Sequence, residues 1–174
     1  MLRETVGPQI VVWGEAHARV VGRDEFAVLI IRTDYNDESA WQAVATGLTQ
    51  PWGENGEFAA LVHLIDDPAW ADATPDDVLT AVRRDEDLSV VFIADRVTMH
   101  SADCALLACD VWSEDEDLDP MYYQDLIDSQ PPREFRTAPA AVHGVHANLS
   151  IANMDFGEFA EEASADPEGV LRPL

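Results

Sequence analysis

Three stretches constrain the fold more than any other feature of this chain. FAVLIIRTD (26–34), FAALVHLID (58–66) and SVVFIADRVT (89–98) are nearly continuous apolar runs that close on or near a charged residue. A strand covered on both faces reads this way, because neither face needs polar side chains. Between the first two runs, Trp41, Val44, Ala45 and Leu48 recur at the spacing of a helix lying on a sheet. Asp37 or Ser39 stands ready to cap it. Before the third run, Thr74-Pro75-Asp76-Asp77 supplies an N-cap, a proline at the first helical position and acids in the first turn. Arg83 and Arg84 fall in the expected last turn, where the helix dipole favours cations.

A fourth strand is expected over ALLACDVW (105–112). About six residues separate it from the third, too few for the crossover of a dozen or more that a parallel pair requires. A hairpin is therefore expected. REFRTAPA (133–140) reads as an edge strand, since Pro139 would interrupt a central one. Asp155 and Glu158 have capping-box spacing and open a helix whose Phe156, Phe159, Ala160 and Ala163 form the buried stripe. The expected architecture is α/β: a single compact domain over residues 1–174, with a mixed, mostly parallel sheet of about five strands flanked by helices. Residues 1–25 are an N-terminal strand or hairpin extension (Ile10–Trp13, Ala18–Val21). Residues 113–132 are an acidic insert: a solvated turn, SEDEDLDP, then a short helix, MYYQDLIDS.

Composition narrows the function classes. The 174 residues suffice to bury a core, and 47% hydrophobic content rules out a disordered chain despite a net charge of −24. All ten basic residues are Arg. A pI near 4.1 lacks the basic footprint that nucleic acid or an anionic membrane needs, so neither is an expected partner. A basic protein partner, a cationic ligand and divalent metals are all compatible with it. An Arg-only, Ala- and Asp-rich composition is also what a GC-rich genome yields, so part of the acidity has a compositional source. Glu4 stands where a signal peptide would be basic, and the longest apolar run, Phe26–Ile31, is too short to span a bilayer. A cytoplasmic protein is expected.

Several chemistries are excluded outright. Without Lys there is no P-loop, Schiff-base or receiver-domain lysine. No Gly-x-Gly-x-x-Gly follows a strand, and Gly-x-Ser-x-Gly, Cys-x-x-Cys and His-Glu-x-x-His are absent. Asp115, Asp117 and Asp119 imitate the start of a calcium loop. Pro120 occupies the obligatory glycine position, which rejects it.

The candidates that remain are side chains in search of a cluster. If strands one to three are parallel, Asp34, Asp66, Asp67 and Asp95 share one sheet edge, with Arg32 and Arg96 beside them and Asp110 at another strand end. Asp34, Asp67, Asp95 and Arg96 are then the catalytic candidates, as acid and base or around a divalent ion. Aspartate is also a favoured turn residue after a strand, with no function implied. His143 and His146 would share a helix face and could join Cys104 and Cys109 in a zinc site, although the Cys pair lacks the usual hook spacing. On one strand those thiols would lie about 16 Å apart at ~3.3 Å per residue, on opposite faces, which predicts free and buried groups. His100 near Cys104 is a weaker base–nucleophile pairing. Asn148, Asn153 and Asp155 either cap the last helix or grip a polar ligand at its start. Trp52 and Trp70 in loops, Glu114, Asp115, Glu116 and Asp117 in the insert, and Tyr122 and Tyr123 after it are the expected partner surface. No basic residue lies between Arg96 and Arg133, a one-sided charge that would steer a basic partner.

IRTDY, ESAWQAV, VHLIDDPAWADATPDDVL, VVFIADRVT and above all NLSIANMDFGEFA (148–160) resemble an uncharacterised family of small acidic bacterial proteins, found mainly in actinobacteria. The resemblance covers roughly residues 26–164 and implies a cytoplasmic single-domain protein with no assigned reaction. The first 25 residues and the insert around 113–130 depart from its pattern. The leading expectation is a non-catalytic interaction or regulatory module with a basic protein partner, no cofactor and an open oligomeric state. Its rivals are a divalent-metal-assisted enzyme acting on a phosphate or polar small molecule at the strand-end carboxylates, and a mimic of nucleic-acid charge.

Overall fold

Strand β1 (Val28–Arg32) is buried along its whole length, and its alternating side chains feed two separate cores. The computed structural model describes residues 22–83, 85–111 and 132–173. After β1 come α1 (Glu38–Leu48), β2 (Val62–Ile65), a 3-10 turn (Pro68–Trp70), α2 (Pro75–Val82), β3 (Val90–Ala94) and the short α3 (Arg96–His100). Then follow β4 (Leu106–Asp110), β5 (Glu134–Thr137), a second 3-10 turn (Pro139–Ala141), α4 (Val142–Ser150), α5 (Phe156–Ala165) and β6 (Val170–Leu171). They form one six-stranded sheet in the order β2-β1-β3-β4-β5-β6.

Strand β1 pairs in parallel with both β2 and β3, while β4 runs antiparallel to β3 and β5, and β6 is parallel to β5. The crossover through α1 lies on one face and that through α2 on the other, so the chain changes sides between β1 and β3. Val28 and Ile30 meet Trp41, Val44 and Leu48 of α1, Val142 and Val145 of α4, and Phe156, Phe159, Ala160 and Ala163 of α5. Leu29 and Ile31 meet Val78, Ala81 and Val82 of α2 together with Trp70. The two helix stripes expected on α1 and α5 are thus both inward. Asp37 is the cap that α1 uses, accepting from Ala40 N at 2.9 Å. Thr74 and Asp77 complete a reciprocal capping box on α2.

The structure corrects the expected element boundaries in several places. The third strand ends at Ala94, not Thr98, because Asp95 turns the chain by capping α3. The second begins at Val62; Phe58 instead bridges Trp52 across the preceding loop. Residues 133–140 do not form an edge strand. Strand β5 lies between β4 and β6, and Pro139 falls just beyond it in a 3-10 turn, so no ladder bond is lost. Arg83 is the residue that closes α2 rather than part of its last turn. The expected N-terminal strands, Arg84, and residues 113–131 of the acidic insert with the helix expected there lie outside the described residues.

Candidate functional site

Because β1, β2 and β3 are parallel, Asp34, Asp66, Asp67 and Asp95 do follow the same ends of adjacent strands. Asp110 lies at the opposite end, paired in register with Val90 at the start of β3. Sharing an edge does not make the four carboxylates a site, since each has local work. Asp34 Oδ1 accepts from Asn36 N at 2.9 Å and Asn36 Nδ2 at 2.6 Å. Asp67 Oδ1 accepts from Ala69 N at 3.0 Å and starts the 3-10 turn. Asp66 accepts from Arg32 Nη1 at 3.2 Å and from the Trp41 indole at 2.9 Å.

Arg32 is the centre of that edge. It is 2% exposed, and its Nε donates to the Asp34 carbonyl at 2.9 Å while Nη1 meets Glu38 at 2.9 Å. Its guanidinium lies 4.3 Å from the centre of the Tyr35 ring and 5.1 Å from that of Trp41. Burial first and the neighbouring Asp66 second hold the Tyr35 hydroxyl well above its usual pKa. It lies within electrostatic reach of Asp66 without a well-formed hydrogen bond. A buried charge needs this many partners.

Asp95 is the most strongly engaged. Its carboxylate caps α3 through Thr98 N at 3.0 Å and takes both arms of Arg136 at 2.8 and 2.7 Å. Burial opposes its charge, but the bonds from Arg136 and Thr98 outweigh it and hold the carboxyl below its usual range. Arg96 is exposed at the first position of α3. Asp67 and Asp95 thus serve as caps and Asp66 and Asp95 as ion-pair partners, while Asp34 bonds Asn36 through Oδ1 and keeps a buried Oδ2 without a partner.

The thiols and imidazoles are likewise dispersed. Cys104 and Cys109 are free, but they do not share a strand: Cys104 sits in the turn before β4 at φ 51°. Burial, then Asp103, raises the Cys104 thiol, and burial pushes Cys109 up to about 12. Neither is a poised thiolate. His143 Nε2 bonds the Leu48 carbonyl at 2.9 Å and so carries the proton. His146 is buried, and burial followed by Arg23 and His143 lowers its pKa to about 4. His100 Nδ1 bonds the Arg96 carbonyl at 2.8 Å. Among the described residues, no three His, Cys, Asp or Glu side chains converge as metal ligands.

Two concavities stand apart from that edge. A groove of about 870 Å³ runs between the loop after α1, helix α4 and the chain beyond β6, and Trp52, His143 and Asn148 all line it. Three residues drawn from separate readings thus meet in one place. Trp52 is half-buried, its ring 5.7 Å from His143 at 14° and 4.8 Å from Phe58 at 36°. Asn148 is partly spent locally: its Nδ2 donates to the Gly144 carbonyl at 2.8 Å and its Oδ1 accepts from Asn153 Nδ2 at 2.6 Å. Asp155 opens α5, its N–H donating to Glu158 at 2.7 Å. The second hollow, about 930 Å³, is lined by Phe26, Leu149 and Phe156 and ringed by Glu25, Glu86 and Asp87.

A family described as a domain of unknown function, DUF6924, matches residues 27–174. The chain belongs to that family. Comparison with curated proteins and with solved structures returned no match. The DUF6924 match takes in the acidic insert and leaves out residues 1–26.

Trp70 does not belong to a partner surface of this DUF6924 domain. It is completely buried under α2, because the 3-10 turn after Asp67 folds its indole back onto the sheet. Glu114, Asp115, Glu116, Asp117, Tyr122 and Tyr123 lie outside the described residues. Sequence reading also missed Arg136 and Tyr35. Arg136 is forty-one positions from the Asp95 it holds, and nothing local marks such a pair.

Proposed function

We propose that this domain is a non-catalytic, acidic interaction module whose contact surface is the hollow lined by Phe26, Leu149 and Phe156. Two kinds of observation support the reading. Three of the four strand-end acids, Asp66, Asp67 and Asp95, are engaged by caps or guanidinia. Arg23, Arg32, Arg136 and Arg172 each hold carboxylates, in a chain whose 34 acids already exceed its ten Arg.

The observation that carries the reading is the hollow itself. Asp110 and Pro132, described residues to either side of the acidic insert in the sequence, both line it. Phe26 is 70% exposed there, an apolar anchor point inside a rim of Glu25, Glu86 and Asp87. A basic segment with an aliphatic or aromatic side chain complements both features.

The test uses a short synthetic peptide alternating Arg and Leu, titrated at low and high salt. Replacing Glu25, Glu86 and Asp87 by Gln should weaken binding more than replacing Asp76, Glu54 and Glu161, which remove the same charge elsewhere. Phe26→Ser should weaken it without a change in salt dependence. Equal loss from both triple variants would mean diffuse attraction to an acidic protein and would remove the hollow from the proposal.

A further inference from the structure

The groove over helix α4 carries an inference that is independent of the partner surface. Helix α4 has Gly144 in its first turn, and glycine is the poorest helix former after proline. Packing does not demand it. A Cβ built at Gly144 meets nothing within 4 Å, so the missing side chain leaves open space rather than relieving a clash. That space is part of the groove, whose volume of about 870 Å³ falls within the ~300–1,000 Å³ of small-molecule clefts.

The chemistry of the walls selects a ligand class. Trp52, Met154 and Phe159 provide apolar surface. Glu54 and Glu162 stand at the rim without an arginine beside them in the lining other than Arg172. Arg172 is held by Asp103 at 3.0 Å, Asp166 at 3.2 Å and Glu168, three carboxylates to one guanidinium. The local balance is therefore negative, and an anion would be repelled. We infer that the groove binds an organic cation: an amine whose apolar body lies over Trp52 and Gly144 and whose charge faces the carboxylate rim.

Three probes of one shape test this by amide and indole NMR shifts: 2-phenylethylamine, 2-phenylethanol and 3-phenylpropionate. The amine should shift the Gly144 amide and the Trp52 indole and bind about tenfold or more tighter than the carboxylate. Gly144→Leu fills the open space with an isobutyl group and should abolish those shifts, while its melting temperature holds or rises because a glycine has left a helix. Gly144→Ala adds one methyl and should keep most of the binding. The inference is overturned if the carboxylate binds as well as the amine, or if Gly144→Leu binds like the parent. It is equally overturned if the amine shifts only residues around Phe26, or shifts nothing.

Discussion

Arg136→Met tests whether the strand-end acids are structural. Arg136 reaches from β5 across β4 to Asp95, and its Nη1 also approaches the Ala105 carbonyl at 3.3 Å. Its side chain is 22% exposed and that of Asp95 25%. Breaking a fully buried pair costs ~3–5 kcal/mol, and an exposed pair is worth ~0–1 kcal/mol. A partly screened fork should fall between, at about 2 kcal/mol, or a melting drop of ~4–8 °C for a chain of this length. The effect has a pH signature. Asp95 is held below its usual range in the folded chain, so its contribution is present above the unfolded carboxylate value and fades as pH falls through the lower folded one. Urea unfolding of parent and Arg136→Met from neutral to acidic pH should show the two curves converging in acid. Asp95→Asn keeps a capping side chain but not the charge, so the double variant should cost less than the sum of the two single changes. A constant difference across pH, or simple additivity, would refute the pairing as the reason these acids are unavailable for chemistry.

Trp70→Ala should destabilise by ~3–5 kcal/mol in urea without altering the salt dependence of peptide binding, since the indole is wholly buried. His146, with a folded pKa of about 4 against the usual 6.5, should make the fold lose stability as pH falls from about 6.5 to 4, because the unfolded chain then binds the extra proton. His146→Leu should flatten that slope when unfolding is measured across the range. Cys109 should resist thiol reagents at neutral pH until the chain is unfolded, when both cysteines react. Replacing Glu114, Asp115, Glu116 and Asp117 by Gln should leave melting unchanged or slightly raised, as crowded like charges repel, yet weaken basic-peptide binding at low salt more than at high.

What was legible in the sequence follows from the range of the forces involved. Periodicity and caps act over a few residues, so the α1 stripe, the Thr74 cap and the Phe156–Ala163 stripe could be read directly. The antiparallel β3–β4 pairing was expected too, but not its connection, which runs from Ala94 to Leu106 through α3 instead of through a tight hairpin turn. The failures are long-range. Strand β5 was expected at an edge because its covering partner, β6, is two residues long and far along the chain, too short to leave a pattern. Trp70 looked like a loop aromatic because nothing local says that a three-residue turn will aim it inward. The candidate site shows the same division. That Asp34, Asp66, Asp67 and Asp95 end parallel strands was readable, but the partners of Asp66 and Asp95, namely Arg32, Trp41 and Arg136, are fixed only by tertiary packing, and such partners decide whether an acid is reactive or spent. The groove lay further out of reach, because its walls, the loop after α1, helix α4 and the chain beyond β6, are brought together only by the fold.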